Sequence, residues 1–510
     1  MQAGLSIFGT SCRGATRASG HLLLGVESSA GRLSVSQLSH DGQLVEEVSL
    51  AGDVYGLLPM AGSTPADMNL FVVRTGSTSL DHGAAVYCYD VSAKHAVALA
   101  AVSEFTPLAW MPAAHGPIPP ALMGQTIDQF GYRRPSIWYL GNPKPSLYDI
   151  PLAGNLAAIP LDSKTLLVTQ QLESRRKLFG FDTESGRLSD LGPREGSIVG
   201  LFTHKDGTVY VGKCSATSPG TVHKLVRDSR PAPLPLAFRS PSRAPDAAVD
   251  VGTRVERAVA PWGPIPYVLT VPAINQVGTA FCIHGGPYAV DLDEFDALSQ
   301  RLAAKGFVVV RVNYRGSVGF GHDWMLANRT DPGWAELEDI NFVRSQLVAR
   351  SALPNLPMVI CGSSWGGYIA LLAAGLDGNN WSGVSARSPI GDYLACYSGE
   401  HEGAREFDRF LFGGPPSELR DKYIRASPST YCSLVTAPVQ IMTGTEDRGC
   451  PVEQVRKYVR TLTECGNVPV DYQEYPMGHG TADDDLLNRQ ISSQVAFLEQ
   501  CVMTTTGASR

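Results

Sequence analysis

Along the first half of the chain, apolar positions come in short runs broken by turn chemistry. "HLLLGVES" (21–28), "MNLFVVRTG" (68–76), "AAVYCYDVS" (84–92), "PSIWYLGN" (135–142), "KTLLVTQQL" (164–172) and "GTVYVGKCS" (207–215) have the length and the β-branched and aromatic content of strands. "DG", "NPKP", "ESGR" and "KDG" lie between them and supply turns. Two stretches, "VYCYDVSAKHAVAL" and "LFGFDTESGRLSDL", repeat one pattern of strand, Asp-led turn and strand. Recurrence at roughly 40-residue spacing predicts four-stranded blades of a β-propeller, with room for about five or six short ones. An irregular β-sandwich is the alternative.

The rhythm changes after "RDSRPAPLPLAFRSPSRAPDAAVD" (227–250), whose Pro, Ser and Arg content marks a boundary. Beyond it, "TAFCIHGG", "FVVVRVNY", "PMVICGSS", "PVQIMTGT" and "VDYQEYPMGHG" are apolar runs that end in small or reactive residues. Helical patterns at 292–305, 334–351, 366–376, 451–465 and 486–502 separate them. Such alternation predicts a mostly parallel, doubly wound sheet with helices on both faces. Ligands then sit beyond the carboxyl ends of the strands. The expected domains are residues 1–245 and 246–510.

The strand-to-helix junction Gly362-Ser363-Ser364-Trp365-Gly366 fits G-x-S-x-G in one register only, with Ser364 at its centre. A nucleophile at such an elbow needs small neighbours, because the chain turns sharply and projects the hydroxyl. A glycine-rich turn without chemistry fits the same five letters. What separates the two is the supply of partners in the order Ser, Asp, His. "VQIMTGTEDRGCP" delivers Asp447 after one strand, and "VDYQEYPMGHG" delivers His479 between glycines after the next. His401 is the other histidine after the elbow, but it precedes Asp447 in a charged segment. The N–H of Trp365 and that of Gly286 or Gly285, in "CIHGGPYA", would form an oxyanion hole. His284 in that loop reads as structural.

Composition narrows the picture further. The 510 residues are 44% hydrophobic and 18% charged with a net charge of −7, which fits a globular protein and argues against nucleic acid or an anionic membrane as partner. No run approaches the about 20 apolar residues of a membrane span. The first residues, with Arg13 and Arg17 after a short apolar stretch, reverse the order of a secretory signal. Ten cysteines are scattered without a C-x-x-C pair, so neither a disulfide framework nor a zinc ribbon is expected, and a reducing cytoplasm is the simplest location. Cys88, Cys282 and Cys361 read as small core residues. No H-E-x-x-H or P-loop pattern occurs, and "GSVGFG" (316–321) is no dinucleotide fingerprint, so no metal and no cofactor is expected.

"HGGP" (284–287), "NYRGSVGFG" (313–321), "GSSWGGY" (362–368), "GTEDRGCP" (444–451) and "YPMGHG" (475–480) occur in order. Together they resemble the prolyl oligopeptidase family of serine peptidases, particularly its acylaminoacyl-peptidase-like branch. The resemblance is specific over 250–502 and architectural before that. It implies an α/β-hydrolase domain with the triad Ser364, Asp447 and His479, an oxyanion hole from Trp365 and Gly286, and a propeller that admits only short or unstructured substrates. Three departures stand out. The propeller has room for fewer than the family's seven blades. Glu46-Glu47 in "LVEEVSL" would point to opposite faces of a strand, against the paired glutamates of dipeptidyl peptidases. "YPMGHG" is one residue short of the common form and lacks its acid.

For the walls of the substrate pocket the sequence offers Tyr368, Tyr393 and Tyr397, each of which also suits a core. Arg387 would meet a substrate carbonyl or carboxylate, or pair with Asp392. The expected activity is hydrolysis of short peptides or N-acyl or aminoacyl amides through an acyl-enzyme, failing as pH drops through the imidazole range. An amidase, esterase or acyltransferase acting on a small specialised metabolite is the alternative, and a non-catalytic binding protein the third. Self-association into a homo-oligomer stays open.

Overall fold

In the computed structural model five four-stranded sheets follow one another, each with its strands bonded in chain order. They occupy Ser11–Ala18 to Leu44–Ser49, Val54–Pro59 to His95–Val102, Thr106–Trp110 to Ser146–Leu147, Asn155–Pro160 to Leu188–Asp190, and Ser197–Thr203 to Ala232–Pro233. This is the repeat of propeller blades. The structure describes the strand backbones from residue 11 onward and, with short breaks, residues 121–225 and 251–505; side chains are described in those two stretches and at a few earlier positions. Glu46, Glu47 and Cys88 have described backbones only. Both repeats picked out above form antiparallel pairs, Tyr87 opposite Ala98 and Phe181 opposite Leu188.

Residues 1–170 with 178–190 make one compact unit, and 171–177 with 191–510 the other. The expected boundary at 245/246 falls inside the second unit, which also holds the fifth sheet. One reason is direct bonding: Gln300 Nε2 donates to the Ala216 carbonyl at 2.7 Å.

The large sheet of the second unit has strands β1 (Val251–Ala260), β2 (Gly263–Pro272), β3 (Gly278–Ile283), β4 (Phe307–Val312), β5 (Met358–Ser363), β6 (Gly383–Arg387), β7 (Val439–Gly444) and β8 (Val470–Tyr475). Their order is β1-β2-β4-β3-β5-β6-β7-β8. β1 and β2 form a hairpin, β2 runs antiparallel to β4, and the remaining neighbours are parallel. The hairpin makes β3 the third strand of the sheet in chain order.

Alternation along the buried strands sorts side chains to two cores. Phe281, Ile283, Val310 and Ile360 face the helices Trp334–Ala349 and Trp365–Leu376, whereas Ala280, Cys282, Val309 and Cys361 face Ala297–Ala304 and Asp484–Thr505. Each such fully buried large apolar side chain contributes about 1.5–3 kcal/mol. With both faces covered, the strand ends remain the place for a site. β3 lies between β4 and β5, so the chain reverses direction across the sheet there and leaves a crevice at the carboxyl ends of β3 and β5. The glycine loop follows β3, and the serine elbow follows β5.

Candidate active site

Ser364 joins β5 to the helix Trp365–Leu376 with φ 55° and ψ −120°, a backbone that L-residues rarely hold. Its N–H donates to the Arg387 carbonyl at 2.8 Å, and its carbonyl accepts the first helical bond from Tyr368. Glycines make that turn possible. A Cβ on Gly366 would overlap the Ile283 carbonyl, and one on Gly362 the backbone of Gly366. The strain at Ser364 is therefore held by packing on both sides.

Asp447 follows β7 and His479 follows β8. Their loops are laced together by backbone bonds, Thr445 N–H to the Tyr475 carbonyl (2.8 Å) and Glu446 N–H to that of Met477 (2.9 Å). A Cβ on Gly444 would collide with the Met477 and Gly478 carbonyls. Ser388 Oγ donates to the His479 carbonyl at 3.2 Å. So pinned, His479 Nε2 stands 2.8 Å from Ser364 Oγ and Nδ1 2.8 Å from Asp447 Oδ2. The shortened "YPMGHG" loop thus leaves His479 within hydrogen-bond reach of both partners.

The Asp447 side chain is fully buried, while that of His479 is 43% exposed. Oδ1 of Asp447 accepts the N–H groups of Gly449 (2.9 Å) and Cys450 (2.8 Å), so with the His479 bond three hydrogen bonds orient the carboxylate. The hydrogen bond to Asp447, and next the Cys450 thiol, raise the His479 pKa to about 10.

Beside the serine, the first N–H groups of its helix lack intrahelical partners and point at the crevice. Gly285 packs against the elbow: a Cβ there would lie 3.1 Å from the Ser363 carbonyl and 3.4 Å from Ser364 Cβ. Gly286 has φ 130°, open only to glycine at low cost. His284 braces this loop, as expected of a structural residue. It bonds Ser317 Oγ through Nε2 (2.9 Å) and the Gly285 carbonyl through Nδ1 (2.7 Å), and it stacks on Tyr314 at 4.3 Å. Burial lowers its pKa, favouring the neutral ring.

The pocket expectations need correction. Tyr368 and Tyr393 are both 0% exposed and meet edge to face at 5.1 Å in an aromatic core with Trp365, Phe412 and Tyr423. They are core, not wall. Tyr397 is half-buried, and its hydroxyl accepts from Arg409 at 3.0 Å. Arg387 does not pair with Asp392, which instead binds Lys457 at 2.6 Å and caps the helix Tyr393–Gly399. Burial lowers the Arg387 pKa, and the carboxylate acting on it is Asp296. His401 caps the helix Glu402–Phe412.

Several groups near the site were not legible as such. Glu336 lies wholly buried beneath the elbow and accepts from Trp365 Nε1 (3.2 Å), Asn328 Nδ2 (2.9 Å) and the Gly333 N–H (2.9 Å). Burial nonetheless pushes its pKa up to about 7. Glu400 is likewise pushed up to about 7 by burial, and its Oε1 accepts from the Cys396 thiol at 2.9 Å. Asp408 is raised by burial and then by the charge of Glu400. Only the N-terminal position of Glu336 on its helix offered a sequence signal, as part of a capping pattern.

Among known proteins, residues 293–505 match the sequence profile of the Prolyl oligopeptidase family. The acylamino-acid-releasing enzyme of Rattus norvegicus is 29% identical over 212 residues, which are 40% of this chain and 29% of that enzyme. Dipeptidyl aminopeptidase BIII of Pseudoxanthomonas mexicana is 25% identical over 344 residues, 62% of this chain and 48% of its own. The matches to acylamino-acid-releasing enzymes from rat and human thus span 29% and 32% of those relatives' lengths. A puromycin-hydrolyzing peptidase of Mycobacterium tuberculosis superposes with a TM-score of 0.78 at 18% identity, covering 97% of this chain and 79% of that one. The acylaminoacyl peptidase of Pyrococcus horikoshii superposes with a TM-score of 0.75 at 17% identity, covering 96% and 82%. These likenesses establish the fold, an N-terminal β-propeller followed by an α/β-hydrolase domain. With its elbow, its Ser-Asp-His order and its profile match over 293–505 all in one sheet, the C-terminal half of this chain is similar to the prolyl oligopeptidase family.

Proposed function

We propose that the protein is a serine hydrolase that cleaves short peptides or N-acyl or aminoacyl amides through an acyl-enzyme. One observation carries this: an unbroken hydrogen-bonded series from Ser364 Oγ through the His479 ring to buried Asp447, each link 2.8 Å. His479 takes the Ser364 proton as Oγ attacks the scissile carbonyl, and returns it to the leaving amine. Asp447 fixes the ring orientation and offsets the imidazolium charge. The developing oxyanion meets the N–H of Trp365 and that of Gly286 or Gly285. A water then repeats the sequence on the acyl-enzyme, with His479 again as base.

Peptide bonds are favoured over esters of small metabolites because the relatives bear the names of acylamino-acid-releasing and dipeptidyl enzymes. Dipeptidyl release is disfavoured by the sequence, since Glu46 and Glu47 adjoin in a strand and would point to opposite faces. A cytoplasmic location rests on the scattered cysteines; among the described residues no helix is long and apolar enough to cross a membrane. Neither nucleic acid nor membrane is proposed as partner.

Ser364→Ala should lose all measurable turnover of acyl-peptides and aminoacyl-anilides while keeping the wild-type melting temperature. It should also lose labelling by a fluorophosphonate that modifies the wild type. Hydrolysis at the wild-type rate in this variant would refute the assignment.

A further inference from the structure

The proton relay makes no use of the Cys450 side chain, although the residue sits beside it. Its N–H holds Asp447, and its thiol is buried, the residue being 5% exposed. One donor atom from each of Asp447, Cys450 and His479 lies within 4.8 Å of the other two. Asp447 and Cys450 come from a single turn after β7, and His479 comes from the loop after β8. The second thiol in contact with Cys450, that of Cys396, donates to Glu400.

We propose that Asp447, Cys450 and His479 form an inhibitory site for a thiophilic divalent cation such as Zn²⁺. The donor set decides the ion: thiolate and imidazole suit zinc, whereas magnesium and calcium call for oxygen ligands. Zinc bonds of about 2.0–2.3 Å place tetrahedral ligands about 3.3–3.7 Å apart, within a small adjustment of the observed cluster. Charge also balances. A carboxylate and a thiolate cancel the dication, so the buried site becomes neutral. The Cys450 thiol gives its proton to solvent on binding. The exposed edge of His479 is the way in, and a water completes the tetrahedron. With the ion on Nδ1 the ring proton moves to Nε2, so the imidazole accepts none from Ser364, and hydrolysis stops.

The inhibition rests on the hydrolase reading above, whereas binding does not, so two readouts are needed. Chelator-treated protein is titrated with Co²⁺, and the thiolate-to-cobalt charge-transfer band is followed. The wild type and Ser364→Ala should both show the band at one equivalent; Cys450→Ala and Cys450→Ser should not. Zn²⁺ is then titrated against hydrolysis, each variant being compared with its own metal-free rate. Half-inhibition should need about tenfold more Zn²⁺ or beyond in both Cys450 variants, while Cys465→Ala should match the wild type. Circular dichroism verifies that each variant is folded. No band up to millimolar Co²⁺ in the wild type overturns the site, as does equal zinc sensitivity in the folded Cys450 variants. A band without any hydrolysis would leave the metal site standing and sink the hydrolase reading alone.

Discussion

At the scale of single residues, the proposed mechanism gives Asp447 control of both the rate and its pH dependence. It is an acceptor for His479 Nδ1, so an asparagine in its place would present the wrong group to that nitrogen and favour the wrong tautomer. Asp447→Asn should lower kcat/KM by about four orders of magnitude with the fold retained. The pH profile offers a second measurement. Asp447 raises the His479 pKa, so the neutral base accumulates only above the ordinary imidazole range. The acidic limb of kcat/KM should therefore lie higher than the sequence-based expectation near pH 6–7, and it should move down in Asp447→Asn. A limb that stays put would mean that another group titrates. For stability the sign is opposite. The pair stabilises the folded chain fully below the unfolded histidine's pKa, and that contribution fades as pH rises toward about 10.

At the scale of elements, the segment between β6 and β7 shows where pattern reading stops. Residues 393–399, 402–412 and 416–426 form three short helices that no apolar periodicity announced, since two of them carry charges all along one face. Tyr393 illustrates the consequence. A tyrosine after a reactive loop reads equally well as pocket or core, and only packing tells which. Its ring is enclosed and its hydroxyl has no hydrogen-bond partner among the described residues. Removing an unpaired buried hydroxyl relieves a desolvation penalty. Tyr393→Phe should then raise stability by about 1 kcal/mol and leave KM unchanged. Denaturant melts and steady-state kinetics verify both; a rise in KM of severalfold would return Tyr393 to the pocket.

At the scale of the whole molecule, the buried carboxyls set how the fold responds to pH. Burial holds a proton on Glu336 up to about pH 7, whereas an unfolded glutamate releases it near 4.5. The native state thus binds the proton more tightly, and unfolding free energy should decline between those two values. Glu336→Gln, which keeps an acceptor for Trp365 Nε1, should flatten that decline. Urea midpoints across pH 4–8 for both proteins give the comparison; parallel curves would remove Glu336 as the cause.

Much of the architecture was readable because periodicity is local physics. The strands at 278–283, 307–312, 358–363, 439–444 and 470–475 are apolar enough to be unmistakable, and the elbow needs nothing beyond its own five residues. β6 was missed, for "GVSAR" is short and half polar, its Ser385 being paid for by a bond to Gln440 from β7 (2.8 Å). Chain order and residue type alone determined the sheet class and singled out Ser364, Asp447 and His479 as the proposed nucleophile, acid and base. Folding decided the rest: that two loops 32 residues apart lace together over one strand edge, that the tyrosines sink into the core, and that a thiol comes to rest against the relay. Contacts of that kind depend on what the sheet brings together across long separations, and no local pattern encodes them.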